Sequence, residues 1–339
     1  MKTYDLSLIS KNRSTIYGLT ILYIMLYHAS VQFNFTWLLP LSLFKIAGQM
    51  GVDIFLFVSG ISLYFSAVKG GSIGGFYRRR LERVLLPSLL IGIPYFFIAD
   101  ILQKKAGAGA FFADLTGLSL FLNGSRTIWF VTAIIIFYLL YPLIYRVLKA
   151  SDWSALGLTG LIAAAVVIFF VMSRLWPVFW KRSSILFERL VVFIFGAWTG
   201  KFVYEKRTLQ IRRRTIWLTA GLFLAFFAVY LAMRFVFKRG QIVSERYIYA
   251  FIALFVTALF SLLGEVKPVS WIASKLAPYT LEIYLVHEKT LEWLESLTNR
   301  PKDGLVNLAA AALAIVFAVA LRFVENRILE FAHRPKRTE

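Results

Sequence analysis

Ile16-Tyr-Gly-Leu-Thr-Ile-Leu-Tyr-Ile-Met-Leu-Tyr-His28 is almost wholly apolar until it meets a histidine. A helix hydrophobic all round belongs either to the core of a large protein or to a membrane. The rest of the chain decides between the two. It is 59% hydrophobic, with 32 Phe, 16 Tyr and 9 Trp, beyond the usual soluble composition and in keeping with rings that meet lipid and its interfaces. No polar stretch is long enough to form a soluble domain. The sequence describes an all-α polytopic membrane protein, a single domain over residues 1–339.

A spanning helix takes about 20 apolar residues. Ten stretches meet that requirement: 15–34, 50–68, 84–103, 127–148, 154–173, 185–204, 215–236, 246–264, 271–294 and 304–325. The Gly-rich connection 104–126 is the longest, and its apolar middle is too short to span. The polar N-terminus shows no signal-peptide cleavage pattern, so the first helix is expected to stay.

The net charge is +20, which raises the question of nucleic acid. The basic residues fall mostly in short segments between apolar runs, so they point to topology and anionic headgroups instead. Their bias predicts that both termini face the cytoplasm. His28 then lies about 18 Å above Ile16, in the outer half of the membrane. Asp53 begins a descending helix and His287 sits high on the ninth, so both share that half. The block Arg78-Arg79-Arg80-Leu-Glu82-Arg83 marks the opposite, cytoplasmic mouth.

A titratable group at membrane depth costs several kcal/mol and is usually functional. A neutral imidazole can take a proton from a hydroxyl that attacks a carbonyl, and a carboxylate can orient it. His28 with Asp53 is the pair the sequence offers, although Asp53 could also cap its helix and His28 could bridge helices. No serine, threonine or lysine has a neighbouring base in sequence, which favours direct attack by an activated acceptor hydroxyl. Arg80 and Arg83 stand at i and i+3, on one helix face, where two guanidiniums would grip phosphates bidentately. Coenzyme A is such a ligand. Arg78 and Arg79 also suit plain interfacial anchoring, with Glu82 pairing to one of them. His287 is expected to line the site; His333 belongs to the polar tail. Cysteine is absent, and no His-plus-carboxylate cluster has metal-ligand spacing, so no metal is expected.

These motifs, in this order, resemble the integral-membrane acyltransferase family 3, which O-acylates cell-surface glycans. The matching pieces are Ile24-Met-Leu-Tyr-His28, Gly51-Val-Asp53 through Gly60, and Phe76-Tyr-Arg-Arg-Arg-Leu-Glu-Arg-Val-Leu-Leu-Pro87. Trp129-Phe-Val, Tyr138-Leu-Leu-Tyr-Pro142 and Leu281-Glu-Ile-Tyr284-Leu-Val-His287 complete them. The resemblance implies ten helices, a catalytic His28, and an acyl-donor role for Arg80 and Arg83, with Arg79 beside them. Trp129, Tyr284 and His287 are expected to line the substrate path. The family often has an arginine eleven residues before its histidine; here that residue is Tyr17, and Arg13, one turn earlier, is the expected substitute. A proline common after the second histidine is replaced by Glu288-Lys289.

The resemblance implies acyl-CoA, above all acetyl-CoA, as co-substrate and a glycan or glycolipid acceptor, in a bacterial inner or plasma membrane among lipids. It leaves room for a homo-oligomer. Two rival classes fit the same polar axis: a transporter or flippase of a glycan or lipid intermediate, and an acyl-CoA-binding sensor without catalysis. Release of free thiol separates the first from an enzyme.

Overall fold

The computed structural model describes residues 5–29, 47–150, 154–205, 221, 225 and 243–332. Among these residues every regular element is helical. After the short α1 (Ser7–Lys11) comes α2 (Arg13–His28), which ends on the histidine. A 3₁₀ turn, Ala47–Met50, leads into α3 (Gly51–Val68). Next is α4 (Ile73–Phe96), capped at its start by Ser72, whose Oγ accepts the Gly75 N–H at 3.0 Å. Pro87 and Pro94 each remove a helical hydrogen bond, and the coil widens into a π-helix over Phe97–Gln103.

Two small helices, α5 (Gly107–Thr116) and α6 (Ser119–Leu122), occupy the Gly-rich connection. The chain continues through α7 (Trp129–Ala150), α8 (Ser154–Leu175), α9 (Pro177–Phe187) and α10 (Leu190–Tyr204). It ends with α11 (Val243–Leu263), α12 (Lys267–Leu276), α13 (Thr280–Thr298) and α14 (Gly304–Ala332).

Among the described residues five stretches are long and apolar enough to cross a membrane: Ala47–Val68, Ile73–Gln103, Trp129–Ala150, Leu156–Leu175 and Gly304–Ala332. A sixth is a bent pair, Ile252–Leu263 with Lys267–Thr298, turned by 117° at its break. Fewer spans are therefore present among the described residues than the ten expected. The stretch 185–204 is not one helix, because the chain breaks at Glu188 and Arg189, both buried. Apart from residues 221 and 225, the stretch 215–236 lies outside the described residues, as do residues 30–34 and His333. Outward-facing Leu156, Leu305, Leu308 and Phe331 are more than two-thirds exposed, a surface suited to lipid tails.

Two contacts bring backbones together. Gly60 of α3 and Gly196 of α10 face each other, and a Cβ on Gly196 would overlap the Phe57 carbonyl. A Cβ on Gly18 of α2 would likewise overlap the Ala273 carbonyl of α12. Small residues that let helix backbones approach are a common device between helices in lipid. Around these contacts Phe55, Phe130, Phe137 and Phe193 build one apolar cluster, and Ile16, Ile54, Phe57 and Tyr249 a second.

Candidate active site

Near the end of α2, His28 meets α13. Its Nδ1 lies 2.6 Å from Oε1 of Glu288, a short hydrogen-bond distance. The His28 ring also stands edge-on to His287, with centroids 5.1 Å apart. His287 is buried, and its Nδ1 reaches the carbonyls of Ile283 at 3.1 Å and Tyr284 at 2.8 Å. Carbonyls only accept, so Nδ1 carries the proton; Nε2 is left a buried acceptor without a hydrogen bond among the described residues.

The carboxylate beside His28 is thus Glu288, not Asp53. Asp53 sits in the first turn of α3, where Met50 is the capping residue, and is buried. Its Oδ1 lies 3.2 Å from Nε of Arg189, at the break between α9 and α10. Arg189 donates from Nη1 to the Ile185 carbonyl at 2.8 Å, and its guanidinium lies 4.9 Å from the centre of the Trp129 ring. The expected orientation of His28 by Asp53 fails because the α9–α10 break brings a guanidinium to that carboxylate.

Two cavities flank these groups. The first, about 340 Å³, is lined by Tyr27, His28, Trp129, Arg189, Tyr284 and Glu288, among others. The second, about 610 Å³, is lined by Arg13, Tyr17, Lys69, Arg80, Arg83 and Tyr284, among others, with no carboxylate on its wall among the described residues. Tyr284 belongs to both walls, and its ring lies 4.9 Å from that of Phe130. Trp129 faces the histidine cavity and its neighbour Phe130 the basic one, so these rings form the partition. A wider groove of about 680 Å³, beside Lys267 and Trp271, adjoins the basic cavity at Ser14 and Ser274.

Arg80 and Arg83 thus share one wall with Arg13, whose Nη1 lies 3.4 Å from Ser62 Oγ, and with Tyr17, stacked on Phe55. Arg79 does not join them: it is exposed beside Gly71 and Gly75, about 100° round the helix from Arg80. Arg78 pairs with Glu82, Nε to Oε1 at 2.8 Å, as the i,i+4 spacing expects. Trp129 and Tyr284 line the histidine cavity, whereas His287 lies behind its wall and touches His28 from the protein side. Packing of α2 against α13 leaves it no opening.

Among the described residues His28, His287 and Glu288 offer one ligand atom each, all within 4.8 Å of one another, a group that could hold a metal ion. Spacing in sequence does not reveal this cluster, because two distant helices build it. In the structure His28 and Glu288 bond to each other directly.

Sequence reading missed Glu288 and Arg189. Both carried a signal, a charge inside an otherwise apolar run: Glu288 directly after His287, and Glu188-Arg189 within 185–204.

A helical membrane protein with a histidine–carboxylate pair in one cavity and a cation-lined chamber next to it has the parts of a group-transfer enzyme. The chain matches the family model described as an acyltransferase domain over residues 18–324, and it belongs to that family, acyltransferase family 3. It is a membrane acyltransferase by that membership. No curated protein and no solved structure matches it.

Proposed function

We propose that this chain moves a short acyl group, acetyl first among them, from cytoplasmic acyl-CoA to a hydroxyl of an extracytoplasmic glycan or glycolipid. In this reading ten helices cross a bacterial inner or plasma membrane with both termini inside. Phosphates of the donor rest against Arg80, Arg83, Arg13 and Lys69, four cations with no lining carboxylate among the described residues. The thioester end passes Tyr284 into the smaller cavity. There His28, held by Glu288, takes the proton of the acceptor hydroxyl as its oxygen attacks the carbonyl carbon.

One observation carries the reading: the His28–Glu288 pair lines a cavity that shares Tyr284 with the basic chamber. Base and basic chamber thus share the Tyr284 wall. The test is transfer from acyl-labelled acetyl-CoA in membranes of cells that make the protein, with release of free thiol followed in parallel. Wild-type membranes are expected to do both and His28→Ala membranes neither. Undiminished transfer by His28→Ala overturns the mechanism. Movement of substrate without thiol release makes the protein a transporter.

A further inference from the structure

Asp53 and Arg189 are both buried, both charged, and so far without a chemical task. Burying an ion pair is a poor way to stabilise a fold, since apolar side chains of similar volume often do as well or better. At membrane depth such a pair is a functional candidate. Arg189 of this pair lines the histidine cavity.

We propose that Arg189 is a second catalytic residue, placing positive charge at the carbonyl oxygen of the acyl donor, and that Asp53 is its positioning residue. The inference rests on the acyl-transfer reading above and adds the group that receives the negative charge. Arg189 is held on three sides. Nε lies 3.2 Å from Asp53 Oδ1 as an ion pair without a hydrogen bond, Nη1 donates to the Ile185 carbonyl at 2.8 Å, and the Trp129 ring lies 4.9 Å from the guanidinium. A guanidinium has five N–H donors in a fixed fork. Nε and Nη2 make no hydrogen bond among the described residues, so donors remain for an oxygen in the cavity that Arg189 lines. His28 and Glu288 line the same small space.

The step balances within that space. The acceptor O–H bond breaks and its proton goes to His28. The acceptor oxygen bonds to the thioester carbon, and the carbonyl π pair moves onto the oxygen, where Arg189 stabilises it. The oxygen pair then returns, the C–S bond breaks, and the departing thiolate takes the proton back from His28. The products are an ester and free coenzyme A. A fixed donor aimed at charge that develops only during reaction lowers the barrier without tightening ground-state binding.

The test uses the same membranes and labelled acetyl-CoA. Removing one such donor commonly lowers turnover about 10²–10³-fold, and Arg189→Gln is expected to do so while the donor concentration at half-maximal rate stays within about threefold of wild type. Arg189→Lys keeps the charge without the fork and is expected to lie between the two. Asp53→Asn, which loosens the guanidinium, is expected to lower maximal rate and leave half-saturation unchanged. Where Arg189→Gln yields no folded protein by size exclusion and thermal unfolding, Arg189→Lys decides on the same criteria.

Turnover within about threefold of wild type, or a change in half-saturation alone, overturns the inference. If His28→Ala is inactive in the same experiment, the acyl-transfer reading survives that result. A wild-type protein that releases no thiol and transfers no label fails both.

Discussion

Glu288 holds His28 from the far end of the chain, Oε1 to Nδ1 at 2.6 Å, on the helix that also buries His287. A carboxylate so placed selects the tautomer of the imidazole and stabilises the imidazolium that forms. Glu288→Gln keeps the shape and removes the charge. Acyl transfer is expected to fall about 10²–10⁴-fold, the usual range for acid–base assistance. Calorimetric titration with coenzyme A checks that donor binding is retained.

Arg80 and Arg83 line the basic cavity and Arg79 does not. Each charge-assisted hydrogen bond to phosphate is worth about 1.5–3 kcal/mol, so Arg80→Gln or Arg83→Gln is expected to raise half-saturation by acetyl-CoA about 10–100-fold. Arg79→Gln is expected to change it little. Acetyl-pantetheine, which lacks the nucleotide phosphates, should distinguish poorly between wild type and the two variants. Equal effects of all three substitutions would count against a phosphate site on this face.

Tyr284 stands in both cavity walls. Tyr284→Phe keeps the ring and is expected to preserve transfer. Tyr284→Ala joins the two spaces and frees the thioester to lie off line from His28, a misplacement that can lower rate about 10²-fold. Thiol release without acceptor labelling is expected to rise relative to transfer, because water gains access to the carbonyl.

Arg322 of α14 binds two buried carboxylates, Glu282 at 3.2 Å and Glu325 at 2.9 Å. Removing one partner of a buried ion pair destabilises by about 3–5 kcal/mol, the penalty of the charge left behind. Arg322→Met is expected to lower the thermal unfolding midpoint in detergent. Glu325→Gln, added to it, is expected to recover part of the loss.

Gly196 lies against the Phe57 backbone. Overpacking a tight site typically destabilises by about 1–3 kcal/mol, and Gly196→Ala is expected to reach at least that range, since backbone cannot rotate away. Thermal unfolding in detergent reads it directly, with Gly160→Ala as a control in open space.

The long apolar helices were legible because hydrophobic length is a one-dimensional property: 127–148 and 154–173 fall within two residues of α7 and α8. The stretch 185–204 was not, since average hydropathy there conceals Glu188 and Arg189, two buried charged residues that stand where the helix breaks. His28 could be singled out from its own helix alone. Its partner could not. Which carboxylate meets an imidazole depends on how α13 is turned against α2, and a rotation of one residue, about 100°, exchanges His287 for Glu288. Asp53 is near His28 in any count along the sequence, yet its partner comes from the break between α9 and α10.

The glycine contacts divide the chemistry between two scaffolds. Gly18 binds α2 to α12, whose continuation α13 carries Glu288, while Gly60 and Gly196 bind α3, which carries Asp53, to α10, which begins beside Arg189. Each polar partnership therefore rides on its own backbone-tight pair. A slip along the seam between the pairs alters the gap from imidazole to guanidinium and leaves both partnerships whole.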